Sequence, residues 1–181
     1  RYEADSLRYY LLANGAEKRD ADFSWQGFIT SHNNELLGAW GNFVNRTLIF
    51  ITKYLDGRVP DGSLEKGLEE EIDRLYDEIG KKVEGGRFKE AIDDIFAFVR
   101  FSNKYFDLGK PWITRNTSLR DCQNTLYNCV QLIVNLAVLL KPFLPFSSEK
   151  VLGWFLLDNS WKRKTVPTGF VIPETEILFR R

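Results

Sequence analysis

The sequence predicts an all-α protein, an antiparallel helix bundle of about five helices, and three observations carry that expectation. Apolar residues recur at spacings of three and four over most of the 181 positions, the period of helices that each turn one stripe toward a core. Alternating apolar–polar runs, the signature of half-buried strands, are nearly absent. Gly, Pro and Asp gather in short clusters between the periodic stretches, where they read as tight connections of a bundle. With 44% hydrophobic and 14% aromatic residues, the chain has the composition of a folded domain with a sizeable core.

Taken in order, Ala4 to Ala13 reads as a short amphipathic helix with Leu7, Tyr10 and Leu11 on one side. The polar stretch "NGAEKRDADFS" follows as a loop. Ser24 is placed to cap the next helix, because its hydroxyl can accept from an unpaired amide of the first turn. That helix is expected to run from Trp25 to about Leu55, roughly 45 Å. Its apolar stripe is Trp25, Phe28, Ile29, Leu36, Leu37, Trp40, Phe43, Val44, Leu48 and Ile51. "DGRVPDGS" is a loop. Leu64 to Val83 forms a further helix with Leu68, Ile72, Leu75, Tyr76 and Ile79 inward, and "EGGR" breaks it.

Phe88 to about Asp107 is the following helix, with Ala91, Ile92, Ile95, Phe98, Val99, Ser102 and Tyr105 inward. "LGKPW" ends it: Gly109 tolerates positive φ, and Pro111 disfavours helix at the residue before it. Leu119 to Leu140 is a long helix, strongly apolar in its second half. Its run from Val130 to Leu140 is interrupted by Gln131 and Asn135 and is too short to cross a bilayer. "KPFLPFSSEK" makes a proline-bounded corner, and Ser147 or Ser148 is expected to cap a short helix through Leu157. Trp161 to Arg181 reads as an irregular, extended tail.

Charge and motif content exclude several function classes. Lys plus Arg balances Asp plus Glu at 25 each, so bulk charge gives no support for a nucleic-acid partner. The two cysteines, Cys122 and Cys129, lie seven residues apart in a helical pattern, about 10 Å along the axis. They read as reduced core residues, in keeping with a reducing cytoplasm. No Gly-rich phosphate loop is present. His32 is the sole histidine, which leaves little for a metal site or a catalytic triad; it reads as a structural residue near the apolar face of the long helix. The Asp93–Asp94 pair and the Glu69–Glu71 run read as solvated helix faces. The chain opens inside a helical pattern without Met or signal peptide and closes on "ILFRR", so it is expected to be a piece of a longer protein.

One constellation is hard to explain by packing. Asn42 and Arg46 stand four residues apart on the long helix and therefore share a face, placed by an ideal helical count well away from the apolar stripe. Together they offer donors and an acceptor that can read a base edge. "DLGKPW" sets Trp112 on a proline-stiffened corner, where an indole can stack on an unpaired base. Asp107, five residues earlier, can orient a neighbouring donor.

At these residues the chain resembles the C-terminal part of bacterial-type methionyl-tRNA synthetases. "YEADSLRYYLL" is similar to the segment after the catalytic signature loop of those enzymes. "NELLGAWGNFVNRTLIFI" resembles their first anticodon-domain helix, "NKYFDLGKPW" their second signature, and "LLKPFLPFSSEKVLGWF" their late corner and final helix.

The resemblance implies an anticodon-binding domain of the class I synthetase type. Asn42, Arg46, Asp107, Pro111 and Trp112 would be the anticodon-binding residues, with no catalytic or metal-binding residues in this piece. Trp112 would stack on the first base of the CAU anticodon of methionine tRNA, Asn42 and Arg46 would satisfy its Watson–Crick edge, and Asp107 and Pro111 would shape the pocket. Lys53, Lys104, Lys110 and Arg115 are candidates for phosphates.

The resemblance also implies that ATP, Mg and a Zn site belong to a catalytic domain in the same longer chain, not to this piece. Residues 1–20 would connect to that domain, with a hinge around Asp5, Arg8 and Tyr9; residues 21–160 would form the anticodon-binding bundle and 161–181 the extended tail. The partners implied are the tRNA anticodon loop and the catalytic domain, with no membrane. The bundle of a leucine, isoleucine, valine or cysteine synthetase, or a purely structural bundle, are the alternatives.

Overall fold

The computed structural model describes residues 2–14 and 22–181, and its architecture is all-α, as the periodicity predicts. The helices are α1 (Ala4–Ala13), α2 (Trp25–Ser31), a π-helical stretch (His32–Gly41), α3 (Asn42–Tyr54), α4 (Lys66–Glu84), α5 (Phe88–Gly109), α6 (Pro111–Thr117), α7 (Leu119–Leu140) and α8 (Pro145–Trp154). Among the described residues, β pairing is limited to one isolated antiparallel bridge between Arg58 and Val171. Part of the expected polar loop, and the expected division between residues 20 and 21, lie outside the described residues.

Helix α7 is the axis of the fold. Every residue from Thr125 to Leu140 is buried, and α3, α4, α5, α6 and α8 all pack on it. A helix apolar all round must be enclosed by partners, and its polar residues must then find bonds inside. They find them in two loops. The Asn128 side chain accepts from the Glu65 amide at 3.0 Å and donates to the Ser63 carbonyl at 3.0 Å. Gln131 exchanges a pair of 2.9 Å bonds with the backbone of Val166. Asn135 accepts from the Lys164 amide at 2.8 Å and donates to the Lys164 carbonyl at 2.9 Å. The amides that interrupt the apolar run are thus what ties the C-terminal tail to the core. That tail is irregular, as expected, yet Val166, Ile172, Leu178 and Phe179 are buried.

The long helix differs from expectation in its middle. It is helical from Trp25 to Tyr54, with Ser24 Oγ accepting from the Gly27 amide at 3.2 Å as the predicted cap. Between His32 and Gly41, however, the bonding is of the wider π type. In that winding each residue advances by a smaller angle, so buried positions recur every fourth residue at His32, Leu36 and Trp40. At the start of the helix, ahead of this stretch, Trp25 departs from the expected stripe: it is 68% exposed. Gly38 suits this winding, since a Cβ there would stand 2.8 Å from the Asn33 carbonyl oxygen.

Helix α1 also turns the other way. Leu7 and Leu11 are exposed, while Asp5, Ser6, Tyr9 and Tyr10 are buried. The physical reason is polar. The Asp5 carboxylate accepts from the Ser147 amide and hydroxyl, each at 2.7 Å, and caps α8 from outside its own sequence. Neither Ser147 nor Ser148 caps that helix; the cap position falls on Leu144, at least three residues earlier than expected, α8 begins at Pro145, and both serines are buried. Arg8 donates to the carbonyls of Phe143 (2.9 Å) and Pro142 (3.0 Å), and Tyr9 packs on Phe96. The residues expected around a hinge are therefore bonded into the bundle.

Candidate nucleic-acid interface

The corner after α5 is built by three adjacent residues with different tasks. Gly109 is where α5 touches α7: a Cβ there would stand 2.4 Å from Thr125 Cγ2. The positive φ expected at Gly109 falls instead on Lys110, with φ 44° and ψ 55°. Pro111 then opens α6 at its first position, where its missing N–H costs nothing. Helix α6 itself, Pro111–Thr117, is absent from the sequence expectation, which ends the pattern at "LGKPW". Pro111 is buried, and its carbonyl accepts from the Cys122 thiol at 3.7 Å. Trp112, the next residue, stands 45% exposed. The corner is fixed from below and presents the indole above.

The two sequence signatures meet beside that indole. Arg46 Nη2 lies 2.5 Å from Asp107 Oδ1, and the Arg46 guanidinium lies over the Phe106 ring at 4.0 Å. Phe106 in turn faces Trp112, with ring centroids 6.2 Å apart and planes tilted by 34°. Arg46 is therefore not clear of the packed surface, as a continuous α-helical count predicts. It is partly buried against α5, held by a ring below and a carboxylate beside it. Asn42 is exposed, and its Nδ2 lies 3.4 Å from Asn103 Oδ1. Asn103 is itself fixed by donating to the carbonyls of Ala39 and Val99, each at 3.1 Å. All five predicted site residues, Asn42, Arg46, Asp107, Pro111 and Trp112, thus come together at the junction of α3, α5 and α6.

Phe106 is the residue the sequence reading misses. It continues the buried spacing Val99, Ser102, Phe106, so periodicity contains the signal, but the same spacing marks an ordinary core residue as well as a seat for Arg46. Phe50 and Tyr54 are missed as well. Phe50 packs on Phe106 with centroids 6.3 Å apart and on Tyr54 at 4.7 Å. The rings of Trp112, Phe106, Phe50 and Tyr54 form one continuous row.

Charge is uneven around this row. Elsewhere on the surface, many lysines and arginines are matched to carboxylates, as in Arg163 with Glu69 and Asp73 or Arg100 with Glu35. Lys53, Lys104, Lys110 and Arg115 have no ion pair with any described residue. At the Arg46 end, Asp107 is already engaged. Neutral bulk charge therefore conceals a group of unmatched cations at one corner.

Other candidates for chemistry resolve into structure. His32 is buried, with Nδ1 2.9 Å from Ser6 Oγ and Nε2 donating to the Arg180 carbonyl at 2.8 Å. Cys122 and Cys129 are buried free thiols, and burial pushes the Cys129 thiol well above its ordinary range. Among the described residues, no group of three His, Cys, Asp or Glu side chains is placed to hold a metal ion, and no helix is long and apolar enough to cross a membrane.

Comparison with known proteins accounts for both halves of this corner. Residues 1–48 match a family model described as class I tRNA synthetases (M), and residues 65–175 match one described as the anticodon-binding domain of tRNA ligase. A methionine–tRNA ligase of Alkaliphilus oremlandii is 51% identical over 182 residues, covering all of this chain and 34% of that protein. One from Bacillus cereus is 50% identical, covering all of this chain and 33% of that protein. The chain thus spans about a third of the length of these relatives. The apo structure of Mycobacterium tuberculosis methionyl-tRNA synthetase superposes with a TM-score of 0.82 at 25% identity, over 98% of this chain and 38% of that one. With the second family model covering more than half of its residues, the chain belongs to the anticodon-binding domains of tRNA ligases.

Proposed function

We propose that the α3–α5–α6 corner reads the first base of the CAU anticodon of methionine tRNA, for a longer protein that joins methionine to that tRNA. The observation that carries this reading is the Arg46–Asp107 pair seated on Phe106 beside the half-exposed Trp112. Bases of an anticodon loop can be splayed out and recognised by stacking plus edge contacts. Trp112 supplies the stacking face, worth about 1–3 kcal/mol. Cytosine offers an amino donor beside two acceptors on its Watson–Crick edge. Arg46 and Asn42 supply donors for those acceptors, and the free lone pairs of Asp107 accept from the amino group, the pairing that carboxylates make with cytosine. Uracil reverses the donor–acceptor order and leaves buried polar groups unmatched, which is the stronger route to discrimination.

The relatives named as methionine–tRNA ligases support the choice of methionine over other amino acids. In this reading the parts of the longer protein outside the chain supply the catalytic domain, with ATP, Mg and Zn, and the enzyme works in the cytoplasm.

The test is binding of an anticodon stem-loop RNA to the chain, with CAU against a stem-loop carrying a changed first base. The expected result is at least about tenfold weaker binding of the changed RNA, the equivalent of 1.4 kcal/mol. Trp112→Ala should lose that preference while melting close to the parent. Equal binding of both RNAs by the parent chain overturns the reading.

A further inference from the structure

The far end of the aromatic row carries a second device that base reading does not use. Tyr54 closes α3, and two cations converge on its ring: the Arg115 guanidinium at 4.0 Å and Lys53 Nζ at 5.1 Å from the centroid. Neither makes an ion pair with any described residue. Arg115 Nε is shielded from solvent and has no hydrogen-bond partner. A buried donor left unmatched costs free energy unless a ligand completes it. Hydrogen bonding from Lys53, and the charges of Lys53 and Arg115, hold the exposed Tyr54 hydroxyl below its ordinary range. The phenol oxygen is an acceptor within reach of both cations.

Geometry places this group next to the stacking face. Arg115 lies three residues after Trp112 on α6, so the two side chains share one side of that short helix. A guanidinium over a ring face keeps terminal N–H donors at its edge, and a planar fork of donors suits a phosphate.

We propose that Arg115, seated on Tyr54 and assisted by Lys53, is a clamp for a backbone phosphate of the anticodon loop adjacent to the nucleotide stacked on Trp112. This deepens the anticodon reading and rests on it for the identity of the RNA. The clamp recognises the phosphodiester and is indifferent to base. It positions the strand, and the Trp112 corner specifies the sequence.

The two functions separate in one experiment. Binding of the anticodon stem-loop is measured across a salt series for the parent chain, Arg115→Gln and Lys53→Gln, with the CAU loop and with a changed first base. A lost phosphate contact lowers the slope of log affinity against log salt by about 0.7 on a single strand. For Arg115→Gln the expectation is that drop together with about five- to tenfold weaker binding, in equal proportion for both RNAs. For Lys53→Gln a smaller drop in the same direction is expected, and it serves as the readout if Arg115→Gln proves unfolded by circular dichroism. Tyr54→Leu, which removes the seat but no charge, should weaken binding with little change of slope.

An unchanged slope in both charge variants overturns the clamp, even if the parent still prefers CAU. A loss confined to the CAU loop also overturns it, because it would make Arg115 a base reader. A parent chain without base preference whose slope still falls in Arg115→Gln refutes the base reading and leaves the clamp standing.

Discussion

Thr47 on α3 is fully buried, and its hydroxyl oxygen has no hydrogen-bond partner. A buried, unmatched hydroxyl is costly, whereas an apolar group of the same shape is not. Thr47→Val should therefore stabilise the chain by about 1 kcal/mol. That corresponds to a melting temperature roughly 2–4 °C higher in a scan of a domain of this size; a lower value would show that a bound water or a shifted rotamer satisfies the hydroxyl. The contrast with Arg115 is informative. Both carry unmatched polar atoms, but Thr47 is sealed inside the bundle and Arg115 lies at a surface a ligand can reach. Only the second kind of orphan points to function.

At the scale of elements, the corner joining α5, α6 and α7 decides where Trp112 stands. It depends on Gly109 meeting Thr125 with no Cβ between them. Gly109→Ala inserts a methyl group into occupied space and should cost about 1–3 kcal/mol, the usual penalty of overpacking. It should also weaken anticodon stem-loop binding, because α6 carries Trp112 outward as it moves. Adding Thr125→Ala to Gly109→Ala removes the atoms in conflict and should recover most of the lost stability. Additive losses in thermal melts of the single and double variants would mean that the two residues do not conflict. The π-helical stretch works at the same scale: it resets the helical phase ahead of Asn42 and Arg46, so that Arg46 meets Phe106 and Asp107.

At the scale of the whole molecule, the C-terminal tail is held by side-chain amides of α7 and by ion pairs, those of Arg163 with Glu69 and Asp73 and of Lys164 with Asp158 among them. Lys164 is buried, and its Nζ lies 2.6 Å from Asp158 Oδ1 and 2.8 Å from Ser160 Oγ. The hydrogen bond from Lys164 holds the Asp158 carboxyl well below the usual carboxylate range. A carboxyl whose pKa is lowered by folding contributes stability that is fully present above its unfolded value, about 3.9. That stability is lost as pH falls toward the folded value. Below about pH 4, amide hydrogen exchange at Lys164 and Val166 should therefore quicken before that of α7, and Asp158→Asn should bring the same loosening at neutral pH. Exchange at those amides that is independent of pH, once intrinsic rates are corrected, would mean that Gln131 and Asn135 suffice to hold the tail.

Much of this was legible in one dimension. Helical periodicity determined the all-α class, the extents of α4, α5 and α7, and the Ser24 cap, because the stripe that makes a helix pack is written into residue spacing. The residue types at 42, 46, 107, 111 and 112 marked the corner, because a surface Trp beside a Pro and an Asn–Arg pair on one face have little reason to exist for packing alone. Tertiary structure decided the rest. The buried side of α1 follows from Asp5 capping a helix that begins 140 positions later in the chain. The positive φ fell to Lys110, while Gly109 serves the close approach of α5 to Thr125 of α7. The cations at the corner stand out because counterparts such as Arg74, Arg100 and Arg163 are matched, and matching depends on distances across the fold that composition cannot encode.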